Sequence, residues 1–422
     1  MSAVSALHRQ LAGPLIRATL HTTGVLSARL LVQAAILLVL ARMLGPAGFG
    51  GLAGLLSLAA FLGTLATFGT HLVLVRDLAR DPNRRASVLP VVLGTTSFCG
   101  SLLLLAYMGA YFALLHRLEL GLPTVLCIGI AEVVVQPLLS VSAAERLAAG
   151  RVARSQLLRM IPMPLQLATA VGLWRAGMGG QLRFYAVGHL VATLIALAVA
   201  VALQAAPWPS PRQWRLLGAA GWKDNSGFAF QALTASGPTE LDKALAPRLL
   251  PLAMAGVYTV ASRVNGALVI PVASLMIAAL PRLFRESGDG LPQPALLRRM
   301  FGGSLLYGLA AATVVWLVAP IADVLFGTGF AGLSSAVRWF VIVMPALCLR
   351  MVAVNILMAV GHPWLRVGIE LGGVALMVCL ALLLASRGGV HGMVNAVVFA
   401  ETSMALAAWS LILSCYRRTG RV

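Results

Sequence analysis

Six ionisable side chains lie inside long stretches of otherwise apolar sequence. They are three arginines and three glutamates, namely Arg29, Arg263, Arg350, Glu132, Glu370 and Glu401. A charge at the centre of a bilayer costs about 2.5–3.5 kcal/mol on insertion scales, so such residues commonly pair with one another or serve a ligand. A guanidinium binds oxyanions through two parallel hydrogen bonds, whereas a carboxylate binds protons and cations. The sequence therefore predicts an anion-binding or ion-coupled site within a membrane.

Each arginine has a structural alternative to a role in binding. Arg29 lies near the inner end of the first apolar stretch, from which its side chain can snorkel to the membrane surface. Arg263 and Arg350 lie nearer the middle of their stretches, and for them we favour anion binding in a hydrated cavity over a buried ion pair. The chain has only two lysines, which weakens any argument from the choice of arginine.

The acidic residues also allow two interpretations. Glu132 and Gln136 lie one helical turn apart beside a proline. They form either a hydrated kink that moves during activity or, as we prefer, a packed polar pair. Glu370 and Glu401, together with Asn395, are candidates for a proton relay, and structural pairing is the commoner alternative. We treat Glu132, Gln136, Glu370 and Glu401 as candidates for coupling or gating.

Composition identifies the class of protein that must position these residues. Hydrophobic residues make up 59% of the 422-residue chain, charged residues 11%, and the mean hydropathy is +0.91. Soluble domains carry roughly 25% charged residues, so this is an all-α integral membrane protein. Apolar runs bounded by charge, glycine or proline predict twelve spans. They lie near 22–43, 49–75, 88–115, 120–144, 155–176, 184–205, 217–241, 253–281, 300–320, 338–360, 364–386 and 390–415.

The chain also matches itself at an offset of 206 residues. RMLGPAGFGGL (Arg42 to Leu52) aligns on RLLPLAMAGVY (Arg248 to Tyr258), and the same offset places Arg76 on Arg282. An even number of spans per repeat predicts two parallel, pseudo-symmetric six-helix bundles, an organisation typical of transporters. The predicted divisions are a cytoplasmic segment 1–21, a bundle 22–206, a linker 207–216, a bundle 217–415 and a basic tail 416–422.

The distribution of basic residues predicts the orientation. The even-numbered loops and both termini hold twenty-one arginines and lysines, and the odd-numbered loops hold eight. By the positive-inside rule both termini are cytoplasmic, in a multi-pass protein of the cytoplasmic (inner) membrane. The net charge of +19 comes from these dispersed arginines, so we expect no nucleic acid partner.

The sequence contains no recognisable catalytic or metal-binding pattern. It lacks GxxxxGK[ST] and HExxH, and its five cysteines lie singly in apolar runs. Every loop is short, which argues against an enzyme and against a polymerase, ligase or scaffold role. We expect no catalytic residue, cofactor or metal. His189, alone in the sixth span, is interpreted as a packing residue rather than a proton carrier.

Three segments together resemble a known family. They are ARMLGPAGFGGLA after the first span, LVRDLAR after the second, and ELDKALAPRLLPLAMAGVYTVASRV across the seventh and eighth. They resemble the Wzx-type polysaccharide flippases of the multidrug/oligosaccharidyl-lipid/polysaccharide exporter superfamily. The resemblance covers essentially the whole chain in span number and loop length, and ARxLGPxGFG is its most specific part.

The resemblance implies a V-shaped alternating-access carrier that moves a polyprenyl-diphosphate-linked oligosaccharide from the inner to the outer leaflet. Arg263, Arg350 and Arg29 would then bind the diphosphate. Glu240, Asp242 and Lys243 resemble the family's acidic position at the outer end of the seventh span, where they either close the outer gate or the helix end, or remain solvated. The expected partners are the lipid-linked glycan, membrane lipids and polysaccharide polymerase or export machinery. Transport would be driven by a proton gradient, a sodium gradient or the membrane potential.

The main alternative is a cation-coupled multidrug antiporter of the same superfamily. That class normally buries an acidic residue in the first or seventh helix. Here the first span contains Arg29 instead, and the seventh has its acids at its ends.

The basic bias makes the topology testable. Reporter domains fused at Arg85 and at Val422 should be active only when the reporter functions in the cytoplasm. A reporter that works outside the membrane at either position would contradict both the orientation and the two-repeat organisation.

Overall fold

A computed structural model describes residues 14–118, 120–273, 275–276 and 293–418, which are almost entirely helical. The first eight helices are α1 (Pro14–Ala66), α2 (Thr70–Arg80), α3 (Arg85–Ala110), α4 (Leu122–Gly129), α5 (Gln136–Ala148), α6 (Val152–Met160), α7 (Pro162–Arg175) and α8 (Leu182–Ala202). The next seven are α9 (Ala219–Leu249), α10 (Leu252–Leu268), α11 (Pro294–Val318), α12 (Pro320–Phe326), α13 (Leu333–Phe340), α14 (Met344–Ala359) and α15 (Pro363–Arg418).

Nine helical stretches in this described part are long and apolar enough to cross a membrane. Two of them, in α1 and α15, are broken by Gly45 (φ 66°) and Gly389 (φ 54°). α15 contains the predicted spans 364–386 and 390–415. α1 contains the predicted span 22–43 but only part of 49–75, because a turn at residues 67–69 separates α1 from α2. Positive φ is readily adopted only by glycine, which explains the residue type at both breaks. Pro46 then begins the second half of α1, where a missing N–H is tolerated. The predicted seventh span corresponds to α9, which is too polar to count among the nine.

The chain divides into two compact units. The first comprises residues up to Met43 together with Leu58–Leu233, and the second comprises Leu44–Ser57 together with residues from Thr234 onward. The sequence predicted a division at the linker 207–216. In the structure the middle of α1 instead belongs to the second unit, and the first half of α9 belongs to the first unit.

A carboxylate in the first unit fixes the linker that follows α8. Glu145 of α5 accepts hydrogen bonds from Arg85 Nε at 2.7 Å and from Trp208 Nε1 at 3.0 Å. Arg85 also donates to the carbonyl oxygens of Ala206 and Pro207. Further along, the Arg215 amide donates to the Pro90 carbonyl at 3.1 Å. The predicted linker is thus attached to α3 and α5 by hydrogen bonds.

Two glycines of the second unit allow α1 and α10 to approach closely. A Cβ on Gly50 would overlap the carbonyl oxygen of Leu252, and a Cβ on Gly256 would overlap the carbonyl oxygen of Pro46. The two contacts are reciprocal, because Leu252 is the repeat equivalent of Pro46 and Gly256 is that of Gly50. Reciprocal contacts of this kind define a local two-fold axis between the helices.

A third contact lies between the equivalent positions seven residues further on. Arg263 donates to Ser57 Oγ at 3.4 Å, and their separation in sequence is 206 residues. From the glycine contact to this one, both segments move seven residues towards their C-termini, from Gly50 to Ser57 and from Gly256 to Arg263. The two helical segments therefore run parallel. The aligned register of the repeat is therefore supported at these positions by direct contact.

Some predicted features lie outside the described residues. They are Arg282, the predicted match of Arg76, together with residues 1–13 and 419–422 of the terminal segments and residues 274 and 277–281 of the eighth span.

The close approach at Gly50 and Gly256 makes a prediction about stability. Replacing either glycine with leucine should lower the melting temperature of the purified protein, because overpacking typically costs about 1–3 kcal/mol. Gly266→Leu is the matched control, since a Cβ on this α10 glycine would meet nothing within 4 Å. Equal melting temperatures for all three variants, measured by tryptophan fluorescence, would contradict the packing described.

Candidate functional site

Arg350 and the two glutamates of α15 meet in the interior of the second unit. Arg350 Nε lies 2.5 Å from Glu401 Oε2, and its Nη1 lies 3.5 Å from Glu370 Oε1. Arg366 Nε lies 3.3 Å from the other oxygen of Glu370. All four side chains are largely buried, and two positive charges balance two negative ones. Arg350 thus adopts the ion-paired arrangement that the sequence allowed as the alternative to a free, anion-binding guanidinium.

Asn395 lies apart from this charge network. Its side-chain oxygen accepts a hydrogen bond from Trp339 Nε1 at 3.0 Å. The predicted grouping of Asn395 with Glu370 and Glu401 is therefore found only for the two glutamates, which Arg350 connects.

A second charge network joins the end of α9 to α10. Asp242 accepts hydrogen bonds from Tyr258 Oη at 2.7 Å and from Ser262 Oγ at 3.2 Å, and it pairs with Lys243 at 3.1 Å. Lys243 also donates to the carbonyl oxygen of Thr239. Asp242 and Lys243 are buried, so they are not the solvated pair that one sequence interpretation allowed.

Arg263 lies beside this network but is more accessible. Its guanidinium lies 3.8 Å from Glu240 Oε2, a distance longer than a hydrogen bond, and its side chain is 39% exposed. Its contact with Ser57 is also long, at 3.4 Å. Of the two arginines predicted in mid-membrane, Arg263 is therefore the more weakly held.

In the first unit, Glu132 lies in a π-helical turn, Ile130–Val135, between α4 and α5. Its Oε1 lies 2.8 Å from Nε2 of His189 on α8. Gln136 follows as the first residue of α5, next to Pro137. The contact shown by the geometry is therefore between Glu132 and His189, which was interpreted from the sequence as a packing residue, and not the preferred polar pair of Glu132 with Gln136.

Arg29 belongs to a basic cluster for which the described residues provide no acidic member. Arg159 of α6 lies within electrostatic range of both Arg29 and His71. The imidazole of His71 contacts Thr67 Oγ1 at 2.8 Å. In the described part of the chain neither arginine forms an ion pair, and Arg159 Nε is buried without a hydrogen-bond partner. Two half-buried guanidinium groups thus have no acidic partner among the described residues.

The sequence offered little sign of Arg159. It was counted among the twenty-one basic residues that set the topology, because it lies at the inner end of a span like many of them. The only local indication is its position inside the predicted span 155–176 rather than before it. The tertiary structure brings together α1, α2 and α6, and this places Arg159 near Arg29.

Sequence comparison places the chain in a family. Residues 16–286 match the family model described as polysaccharide biosynthesis protein, which is more than half of the chain. No curated protein sequence matches the chain.

Solved structures share the fold at low sequence identity. An inward-facing multidrug resistance MATE family transporter of the MOP superfamily has a TM-score of 0.73 at 14% identity, covering 92% of this chain and 96% of that one. A MOP superfamily transporter from Pyrococcus furiosus, described as having a binding pocket of reverse polarity, has a TM-score of 0.64 at 13% identity, covering 94% of each chain. The Vibrio cholerae MATE transporter VcmN in its bent form scores 0.51 at 17% identity, covering 94% of this chain and 98% of that one. With the fold of these transporters and a family match over most of its length, the chain belongs to the polysaccharide biosynthesis protein family.

Proposed function

We propose that the protein is a flippase that moves a polyprenyl-diphosphate-linked oligosaccharide from the inner to the outer leaflet of the cytoplasmic membrane. Membership of the polysaccharide biosynthesis family and the MOP transporter fold support a role in carrying a glycan intermediate. The single observation that carries the proposal is the basic cluster of Arg29, Arg159 and His71, which no carboxylate of the described structure neutralises.

Such a cluster is unfavourable unless an anion binds there. Two arginines that repel each other while partly desolvated raise the energy of the empty site. A diphosphate carries several oxygens that can accept paired hydrogen bonds from both guanidinium groups. The buried Arg159 Nε, which lacks a partner in the described structure, would gain one.

The predicted topology places this cluster where a lipid diphosphate would enter. Arg29, His71 and Arg159 each lie near the inner end of their predicted spans. The headgroup of a polyprenyl-diphosphate lipid in the inner leaflet lies at a similar depth. The cluster is therefore suited to capture the diphosphate before the glycan is moved.

Charge pairing argues against the alternative of a multidrug antiporter for organic cations. Such a transporter needs a buried carboxylate that is free to bind its substrate. The buried carboxylates of the described residues each lie within 4 Å of an arginine or lysine, and these are Asp77, Glu145, Asp242, Glu370 and Glu401. Glu132, which is partly exposed, contacts His189 instead. Arg29 and Arg159 form no ion pair among the described residues.

Removing one guanidinium from the basic cluster should strongly reduce export without harming the fold. Arg29→Gln and Arg159→Gln are expected to reduce surface polysaccharide about tenfold or more, because a charge-assisted hydrogen bond contributes about 1.5–3 kcal/mol. Membrane abundance should stay normal, and thermal stability should be unchanged or higher, since a repulsion is removed. The measurement is complementation of a gene-deletion strain, with lipid-linked glycans quantified in each leaflet.

Arg154→Gln is the matched control for this experiment. Arg154 is an exposed arginine of the same helix α6, so its substitution removes the same charge from the same cytoplasmic side without entering the cluster. Full export in the Arg29 and Arg159 variants would refute the role of the cluster. If lipid-linked glycan did not accumulate even in the deletion strain, the proposed function itself would be wrong.

Arg350 should behave in the opposite way. Arg350→Gln strands Glu401 and weakens the neutralisation of Glu370, so we expect a loss of about 3–5 kcal/mol in stability. The melting temperature of the purified variant should fall, and so should the abundance of the variant in cell membranes. In the double variant Arg350→Gln with Glu401→Gln, Glu370 keeps Arg366, and much of the stability should return. An unchanged melting temperature in the single variant would show that the network is not structural.

A further inference from the structure

Glu132 differs from every buried carboxylate named above in the kind of residue that it contacts. In the described structure it forms no ion pair with an arginine or lysine, and its ion-pair partner is His189. The carboxylate is 19% exposed and the imidazole 4% exposed. Histidine is the side chain that changes its charge between about pH 5 and 8. The charge of this imidazole can therefore change in that range, whereas an arginine partner stays charged throughout it.

Close helix packing holds Glu132 in place. A Cβ on Gly63 would overlap the carbonyl oxygen of Glu132, so the last part of α1 lies directly against its backbone. A Cβ on Gly129, one turn earlier, would lie 2.7 Å from Cε1 of Tyr107 on α3. Glu132 itself occupies a π turn, and such turns occur frequently at functional sites. The site is therefore built from four segments of the first unit, with α8 contributing His189.

Two polar atoms near the pair have no hydrogen-bond partner in the described structure. They are Nδ1 of His189 and the hydroxyl of Tyr107, both buried. Buried polar groups are nearly always satisfied, so each exception requires an explanation. An imidazole nitrogen that is free on the side away from Glu132 is the atom that would accept a further proton.

The other titratable residues that interact electrostatically with Glu132 are tyrosines, and the adjoining helices α3 and α4 also contain Cys99 and Cys127. Tyr107 and Tyr185 lie within electrostatic range of Glu132, and the Tyr185 ring centre lies 6.0 Å from that of His189. Tyr111, beyond Tyr107, donates its hydroxyl to the carbonyl oxygen of Leu120. The nearby part of α1, residues 57–66, contains no titratable residue. Nothing among these groups carries a permanent positive charge.

We propose that Glu132 and His189 form a proton-binding site whose loading and release accompany the transport cycle. In the unloaded state neutral His189 donates Nε2–H to the Glu132 carboxylate, and the pair has a charge of −1. One proton taken from water onto Nδ1 gives an imidazolium beside a carboxylate, and the charge becomes zero. Release returns that proton to water.

The change of charge supplies a mechanism for coupling. A net negative pair is costly to bury and favours a conformation in which water reaches Glu132, whereas a neutral pair is more readily closed off. Two conformations that differ in hydration at this point would thus be populated according to proton occupancy. The coupling of proton occupancy to conformation rests on the proposed transport function, whereas proton binding by Glu132 and His189 does not.

Infrared difference spectroscopy of the full-length purified protein, in lipid nanodiscs without added substrate, tests the site. The chain has seven histidines, so the imidazole bands that appear between about pH 5 and 8 should include one protonation event that depends on both Glu132 and His189. Glu132→Gln and His189→Gln should each abolish this transition or shift it to another pH. Glu145→Gln is the matched control, because Glu145 is a buried carboxylate of the same unit that pairs with Arg85, and it should leave the transition in place.

Export in cells tests coupling with the same variants. With normal membrane abundance, Glu132→Gln and His189→Gln should reduce surface polysaccharide to the level of the deletion strain. A wild-type protein without the transition, or a transition that persists unchanged in both variants, would refute the site. Loss of the transition with full export would refute its coupling to transport.

The two proposals can fail independently. If the deletion strain accumulates no lipid-linked glycan, the flippase function is wrong, while the spectroscopic transition still decides whether the proton site exists. If Arg29 and Arg159 variants lose export but the transition is missing, the flippase function stands and the proton site does not.

Discussion

The cost of removing charge from water organises the interior of this protein. Burying an unpaired ion costs several kcal/mol, and a nearby opposite charge offsets that cost only when the geometry is good. The second unit satisfies this condition twice, around Arg350 and around Asp242, with short contacts and additional hydrogen bonds. The first unit satisfies it at Glu145, where a carboxylate accepts from an arginine and a tryptophan. Against this background, the places where pairing is incomplete become informative.

Two such places lie in the first unit, and they have opposite character. Around Arg29 and Arg159 there is positive charge without an acid, and around Glu132 there is an acid whose ion-pair partner in the described structure is a histidine. Binding of an anion would neutralise the first arrangement, and binding of a proton would neutralise the second. In the proposed mechanism both binding events change the charge inside the first unit. They can therefore influence each other through the conformations that each one favours.

The repeat explains how one backbone arrangement supports different chemistry in its two copies. Gly50 and Gly256 occupy equivalent positions, and both are needed because a side chain at either would meet the backbone of the other segment. Ser57 and Arg263 are also equivalent, yet one is a small hydroxyl and the other a long cation. The local two-fold thus holds for the backbone where packing is tight. One turn or two away, the side chains have diverged.

Several features of the protein follow from sequence alone because they depend on composition or on single residue types. The membrane class follows from the scarcity of charge, and the helix breaks at Gly45 and Gly389 fall where glycine interrupts an apolar run. The repeat offset was readable because the glycines at close helix contacts are restricted to one residue type. In each case the physical cause acts locally along the chain.

Pairing of charges could be decided only by the tertiary structure. Arg350 and Arg263 looked alike in sequence, but α15 brings two glutamates to Arg350, while Arg263 has only a distant contact with Glu240. Arg159 looked like a topology determinant until α6 brought it near Arg29. Sequence specifies which groups are ionisable and roughly how deep they lie. Whether a charge is neutralised depends on contacts of a few ångströms between helices distant in the chain, and helix packing alone determines those contacts.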